Sequence, residues 1–466
     1  MTGRTRRRGH DRAPTALGVG SPLATDLYEV TMALAYLREG LTAPATFSLI
    51  TRESRAERGF LVAAGLADVL DHLERFRVDE ADLDAFAEVL GVPVAELRPL
   101  AGLRFTGDVR AVPEGRVVLP GEPLLELTAP LPQAQLLETW VLNQISHQTA
   151  LASKAARCVV AARGKPVVDF ALRRTHGVEA GLHAARAGAI VGFAATSDVA
   201  AARVYGMRAS GTMAHSFVEV FDDERAAFAA FADAAVGPVT LLVDTYDTEE
   251  GVRRAAEVLR GVPPDREIGV RLDSGDLAAL AQRARAILDA AGLARARIVA
   301  SGGLDEHGIE ELHERGAPVD VLAVGTKVGT SADAPYLDAA YKLVEYAGRP
   351  VMKLSEGKAT LPGAKQVFRG PGCADVLGLA DEACPAGSEP LLEPVVRAGR
   401  RIGPRPSPAE AVAAARERFE ADLAALPPAA RALRGPLRLR PRTSARLQAL
   451  TQRTRERLAH RVGASR

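Results

Sequence analysis

A threonine and a histidine stand three residues apart in GMRASGTMAHSF (206–217): Thr212 and His215, framed by small side chains that leave room for a bulky anionic partner. RLDSGDL (271–277) sets Arg271 and Asp273 on alternate positions, so on a strand both point the same way. That pair suits an anionic group beside a sugar diol. DFALRR (169–174) offers Phe170 as a flat platform with Arg173 and Arg174 as forked donors, which fits a planar ring bearing a carboxylate. Two turns combine glycine with a hydroxyl: Ser301, Gly302 and Gly303 in one, Gly325 and Thr326 (followed by Lys327) in the other. Such turns let backbone N–H groups approach a phosphate closely.

Each of these has a plainer reading on its own. Arg271 and Asp273 could be a structural ion pair, with Asp276 capping the next helix. Arg173 and Arg174 could be a surface basic pair. His215, judged by spacing alone, reads better as a core histidine. His147, His176, His183, His307 and His313 fall in helical or charged stretches and read as ordinary core or surface residues.

The elements that must position these groups follow from periodicity. A helix is expected over 24–40, with Val30, Leu34 and Leu37 on one face, then a strand at 46–50 and helices across 60–100. Short β-rich runs with Pro-Glu-Gly and Pro-Gly-Glu turns at 105–130 predict a small antiparallel unit. A long helix is expected over 133–163. Apolar strands then alternate with helices: 167–170, 189–193, 239–244, 268–273, 297–301 and 319–325. Near-continuous apolar runs are what parallel strands covered on both faces require. Their regular repetition favours an α/β barrel, whose chemistry collects at the C-terminal strand ends. Those ends hold the residues above and add Asp198 and Asp244. A dinucleotide fold is disfavoured, since no GxGxxG follows the first strand. Ser407 and Glu410, with Pro408, form a capping box for a C-terminal helix. The expected organisation is a disordered basic tail (1–20), an N-terminal α+β domain (21–132), an irregular α/β barrel (133–370) and a helical C-terminal region (371–466) packing on the N-terminal domain.

The bulk numbers agree with an enzyme. The 466 residues exceed one compact core, and 47% hydrophobic with 25% charged residues is ordinary for a globular chain. A formal net charge of +1 gives no strong field toward nucleic acid or membrane. Arginines gather at both ends, but no aromatics interleave with them to stack on bases. Cys158, Cys373 and Cys384 show no CxxC or metal-ligand spacing; free thiols in a reducing cytoplasm are expected, and no resident metal site. No signal-peptide pattern or membrane-length apolar run is seen, so a soluble cytoplasmic protein is expected.

From TDLYEVTMA (25–33) through DFALRR, GTMAHSFV, VDTYDT, VRLDSGDL, SGGLDE, VGTKVGT and AYKLVEYAGRPVMKLSEGKATLPGAK, the chain resembles the nicotinate phosphoribosyltransferases, ATP-coupled enzymes that join nicotinate to phosphoribosyl pyrophosphate on the way to NAD. The likeness covers about 25–397 in the family's order. It implies an N-terminal α+β domain plus an irregular α/β barrel, a homodimer with shared active sites, and Mg²⁺ with ATP as co-substrate. By the resemblance, His215 is the histidine that ATP phosphorylates, and Tyr28 stacks on the pyridine ring in the neighbouring subunit's site. Phe170 and Arg173 match the ring-facing aromatic and its arginine, and Thr212 a nicotinate contact. Arg271 and Asp273 match the ribose and nicotinate region, and Ser301–Gly303 with Gly325 and Thr326 the phosphate-holding end. Asp198 departs from the family's usual Asn and resembles the related nicotinamide enzymes, where it faces a neutral carboxamide. An ionised Asp near a carboxylate substrate repels it unless an arginine intervenes or it is protonated. The alternatives are nicotinamide or another pyridine carboxylate as acceptor, or a non-catalytic homologue that binds NAD-pathway metabolites.

Overall fold

The structure, a computed structural model, describes residues 18–52, 57–355 and 360–463; the expected basic tail lies outside the described residues apart from 18–20. Two seven-stranded sheets organise the chain. The first is antiparallel, in the order Arg349–Pro350, Ala339–Tyr346, Pro44–Thr51, Pro123–Pro130, Asp108–Ala111, Glu393–Arg397, Arg400–Arg401. The expected small antiparallel unit at 105–130 is therefore only part of a larger sheet. Strand Pro44–Thr51 lies inside it, pairing Ser48 with Glu126 on one side and Lys342 on the other. Phe47 stacks on Tyr341, ring centroids 4.6 Å apart, and the Tyr341 hydroxyl donates to the Ala134 carbonyl at 3.0 Å. Burying two aromatic rings while satisfying the phenol makes this pairing register-specific.

Hydrogen bonding sends Ala339–Tyr346 and Arg349–Pro350 to the antiparallel sheet, and Lys365–Arg369 to a separate one, and none of them to the barrel. Lys365–Arg369 and Val376–Leu379 pair in a small four-stranded sheet, so the expected boundary at 370 falls inside a hairpin. Ala339–Tyr346 pairs with Pro44–Thr51, about three hundred residues earlier in the chain, and no local pattern announces such a contact.

The second sheet is parallel throughout and curls in the order Arg208–Ala209, Ala195–Thr196, Val167–Asp169, Val321–Val324, Arg297–Ala300, Ile268–Leu272, Val239–Leu242. It is an irregular α/β barrel whose ring does not close. Arg208–Ala209 and Val239–Leu242 form its two edges, and the chain between them carries Thr212 and His215.

The strand expected at 189–193 is instead the end of helix Val178–Ile190 and the turn after it. A short apolar run fits a buried helix as well as a strand, and here Gly188 leaves the space that the Phe193 ring fills. The true strand is the two-residue Ala195–Thr196. The long helix starts as Leu131–Leu136, breaks at Leu137 and continues as Glu138–Ala162. Ser407 and Glu410 do form the reciprocal capping box of helix Pro408–Ala425. That helix buries Val412, Ala415 and Phe419 in the barrel-side core, while Asp422 accepts from Arg116 Nε and the Val117 N–H, both at 2.8 Å.

Candidate active site

One guanidinium gathers the barrel mouth. Arg271 leaves the end of strand Ile268–Leu272 only 8% exposed. Its Nε donates to Ser301 Oγ at 2.8 Å, Nη1 to Thr212 Oγ1 at 2.9 Å and Nη2 to Asp273 Oδ1 at 2.6 Å. Its carbon Cζ lies 5.4 Å from the Phe170 ring centroid, within cation–π range. Residues from four separate stretches thus meet at one rigid fork, with geometry a lysine could not reproduce.

Asp273 completes the hub. Ser301 Oγ donates to the same carboxylate oxygen that Arg271 binds. Burial works against the charged form, but hydrogen bonds from Ser301 and Arg271 outweigh it and hold the carboxyl below its ordinary range. The charge of His215 acts in the same direction, so the imidazole lies within electrostatic reach of this carboxylate. His215 is half-buried and opens the short helix His215–Glu219, with Nδ1 3.1 Å from Thr245 Oγ1. It faces polar groups, not packed hydrocarbon.

Phe170, Arg173, Arg174, Arg271 and Asp273 line a cleft of about 130 Å³ together with both glycine turns, Ser301–Gly303 and Gly325–Thr326. Gly302 has no substitute: its φ is +92°, and a Cβ would stand 1.9 Å from the Asp273 carbonyl oxygen. Behind the turns, Asp305 caps helix Glu306–Glu314 and pairs with Lys327 at 3.1 Å.

Thr212, held by Arg271, and His215, held by Thr245, do not line this cleft, and two further expected residues lie apart from it. Tyr28 is 47% exposed on helix Leu27–Arg38 and is not among the cleft's described lining residues. Burial of its hydroxyl end and the nearby Glu138 carboxylate raise its pKa. Asp198 is 2% exposed and caps helix Val199–Tyr205, with Oδ1 accepting from the Ala200 and Ala201 N–H groups at 2.9 and 3.0 Å. Its Oδ2 has no hydrogen-bond partner among the described residues. Asn and Asp are equally good caps, which accounts for either residue at this position.

Sequence reading missed Thr245, the partner of His215, and Asp169 beneath Phe170. Asp169 accepts from Thr196 Oγ1 at 2.7 Å and the Ala171 N–H at 2.9 Å; burial and the nearby Asp198 charge nevertheless raise its pKa. Asp244, placed at a strand end but given no role, anchors the next turn. Its Oδ2 accepts from the Asp273 N–H at 3.0 Å and Ser274 Oγ at 2.6 Å. The signal for all three was their place beside motif residues at strand ends.

Residues 23–146 match the nicotinate phosphoribosyltransferase (NAPRTase) N-terminal domain, and residues 166–360 match the nicotinate phosphoribosyltransferase (NAPRTase) family. The chain belongs to the nicotinate phosphoribosyltransferase family. It is 50% identical over 418 residues to the nicotinate phosphoribosyltransferase pncB2 of Mycobacterium tuberculosis, covering 88% of this chain and 89% of that protein. Identity to the nicotinate phosphoribosyltransferase of Homo sapiens is 34% over 531 residues, covering 94% and 98% of the two chains. The fold superposes on the crystal structure of the human nicotinic acid phosphoribosyltransferase with a TM-score of 0.79, at 32% identity over 92% of this chain and 99% of that one. A nicotinate-nucleotide pyrophosphorylase structure from Pyrococcus furiosus follows at TM-score 0.72 and 26% identity, covering 91% and 99%.

Proposed function

We propose that the chain transfers the phosphoribosyl group of phosphoribosyl pyrophosphate to nicotinate, giving nicotinate mononucleotide and pyrophosphate for NAD biosynthesis, with ATP hydrolysis coupled through His215. The observation that carries this reading is the Arg271 hub, a buried guanidinium tied to Asp273, Ser301 and Thr212 under the Phe170 ring.

The ring nitrogen of nicotinate is already a nucleophile, so its lone pair forms the new bond to the anomeric carbon while the bond to pyrophosphate breaks. No general base is required. The protein's work is positioning and electrostatics. Phe170 supplies a face for the pyridine ring, and Arg173 meets its carboxylate. The two glycine turns hold the sugar phosphate. Asp273, kept ionised by Arg271 and Ser301, suits the ribose hydroxyls and the positive charge that develops at the anomeric carbon.

The oxygens at the mouth fit Mg²⁺. Asp244 Oδ1 is buried without a hydrogen-bond partner among the described residues, and Asp273 lies beside it. A hard cation held by one or two carboxylates and substrate phosphates matches this donor set, and when bound it takes charge off the departing pyrophosphate. His215 is the acceptor for the phosphoryl group of ATP, with Thr245 fixing the ring. Tyr28 and Leu27, exposed on one helix, serve the site of a second copy in a homodimer. A cytoplasmic setting fits three unpaired cysteines. Among the described residues, no helix is long and apolar enough to cross a membrane.

The test is a product assay with nicotinate, phosphoribosyl pyrophosphate and Mg²⁺, with and without ATP. Formation of nicotinate mononucleotide, stimulated by ATP, is the expected result. Turnover of nicotinamide in preference to nicotinate refutes the choice of acceptor.

A further inference from the structure

A buried ionic cluster lies behind the two glycine turns, and the proposed chemistry does not use it. Glu306 opens the helix that follows Ser301–Gly303, and Asp333 stands just beyond the short helix that follows Gly325. Both carboxylates reach one ammonium, Lys154 on helix Glu138–Ala162. Lys154 Nζ donates to Glu306 Oε2 and stands 3.4 Å from Asp333 Oδ1. The lysine side chain is 1% exposed and that of Glu306 0%.

Each acid also has an arginine of its own. Arg157 Nε donates to Glu306 Oε1 at 2.8 Å. Arg58 grips Asp333 with two prongs, Nε at 2.7 Å and Nη2 at 2.8 Å, and also donates to Ser331 Oγ at 2.7 Å. Arg157 has a further, solvent-screened contact with the exposed Glu57 at 3.8 Å. The two enclosed acids are therefore already balanced by two arginines. An extra enclosed ammonium is costly to desolvate, and charge balance does not require it. What it adds is connection: Lys154 touches both acids, and hence the segments behind both turns.

We propose that Lys154 is a positioning residue that fixes the spacing between the Ser301–Gly303 and Gly325–Thr326 turns, and through it the affinity of the cleft for the phosphate of a phosphorylated sugar. The inference rests on the reading of those turns given under the proposed function. Small displacements of a preorganised site are costly, since a shift of about 1 Å can lower activity by about a hundredfold.

Lys154→Met is the informative variant, because it leaves the Arg58–Asp333 and Arg157–Glu306 pairs matched and so leaves the fold supported. The readouts are the melting temperature, the KM values for phosphoribosyl pyrophosphate and for nicotinate, kcat, and calorimetric binding of ribose 5-phosphate. The expected result is a rise of about tenfold or more in the KM for phosphoribosyl pyrophosphate and in the Kd for ribose 5-phosphate. The KM for nicotinate changes by less than about twofold. A lowered melting temperature with both phosphate parameters unchanged overturns the proposal and leaves Lys154 a packing residue. If the methionine variant does not fold, Asp333→Asn replaces it: the amide oxygen still accepts from Arg58 while the charged link to Lys154 is gone. The same rise is expected there, and its absence overturns the proposal. A wild-type chain that makes no nicotinate mononucleotide refutes the functional reading instead, and ribose 5-phosphate binding by the variants still decides the role of Lys154.

Discussion

Glu29 is a carboxyl with 0% exposure and no cationic partner among the described residues. Its Oε1 accepts from the Thr139 N–H at 3.0 Å and from Thr139 Oγ1 at 2.6 Å, and its Oε2 accepts from the Thr25 hydroxyl. Burial, helped by the charges of Glu138 and Asp26, outweighs those hydrogen bonds and raises its pKa from 4.5 to about 7. The folded chain therefore holds this proton more tightly than the unfolded chain. The stability it contributes is complete below about pH 4.5 and is lost as pH rises through about 7. At about 1.4 kcal/mol per pH unit, the loss comes to roughly 3 kcal/mol. Glu29→Gln stays neutral at every pH and keeps an acceptor for Thr139. Its melting temperature relative to wild type should thus climb between pH 5 and pH 8. With an unfolding entropy of about 2.1 cal/mol/K per residue, a chain of this length should show a relative gain of about 3 °C. Scanning calorimetry of both proteins at several pH values reads it directly. A difference that stays constant across that interval refutes the linkage, whatever its size.

Arg271→Ala should lower kcat/KM by about a hundred- to a thousandfold with the fold intact, because it strips donors from Asp273 and the phosphate end; Arg271→Lys should recover little of it. Steady-state kinetics beside a melting curve separates that from unfolding. His215→Ala should abolish ATP stimulation while leaving slow ATP-independent transfer; retained stimulation would make the histidine structural. Gly302→Ala should be nearly inactive, since it meets both a left-handed φ and the Asp273 carbonyl, and its KM for phosphoribosyl pyrophosphate should rise more than that for nicotinate.

The parts of the fold legible in sequence were those written in local pattern. Strand Ile268–Leu272 announced itself as an apolar run ending in Arg271, and Ser407 with Glu410 wrote their own cap. Ala195–Thr196 and Arg208–Ala209 did not, because two residues carry no periodicity; the eye is drawn to the longer apolar run at 189–193. Strand Ala339–Tyr346 was visible neither as barrel nor as sheet, since only its distant pairing with Pro44–Thr51 decides where it belongs. At the site, Arg271 and Asp273 were readable from strand alternation. Thr245 was not, because helix Glu224–Ala234 and strand Val239–Leu242 separate it in sequence from His215. Asp198 carries a second task that the sequence did not announce: one of its oxygens caps helix Val199–Tyr205, while the other has no hydrogen-bond partner among the described residues.

The missing seam in the parallel ring has a mechanical result. With no backbone ladder across it, the wall segment bearing His215 is moored there by side chains, Thr212 to Arg271 and the imidazole to Thr245. Met213 and Val218 of the same segment are buried in the barrel-side core, so packing holds it as well as those two bonds. The shape of the mouth beside His215 is therefore set there by residue identity and not by strand pairing.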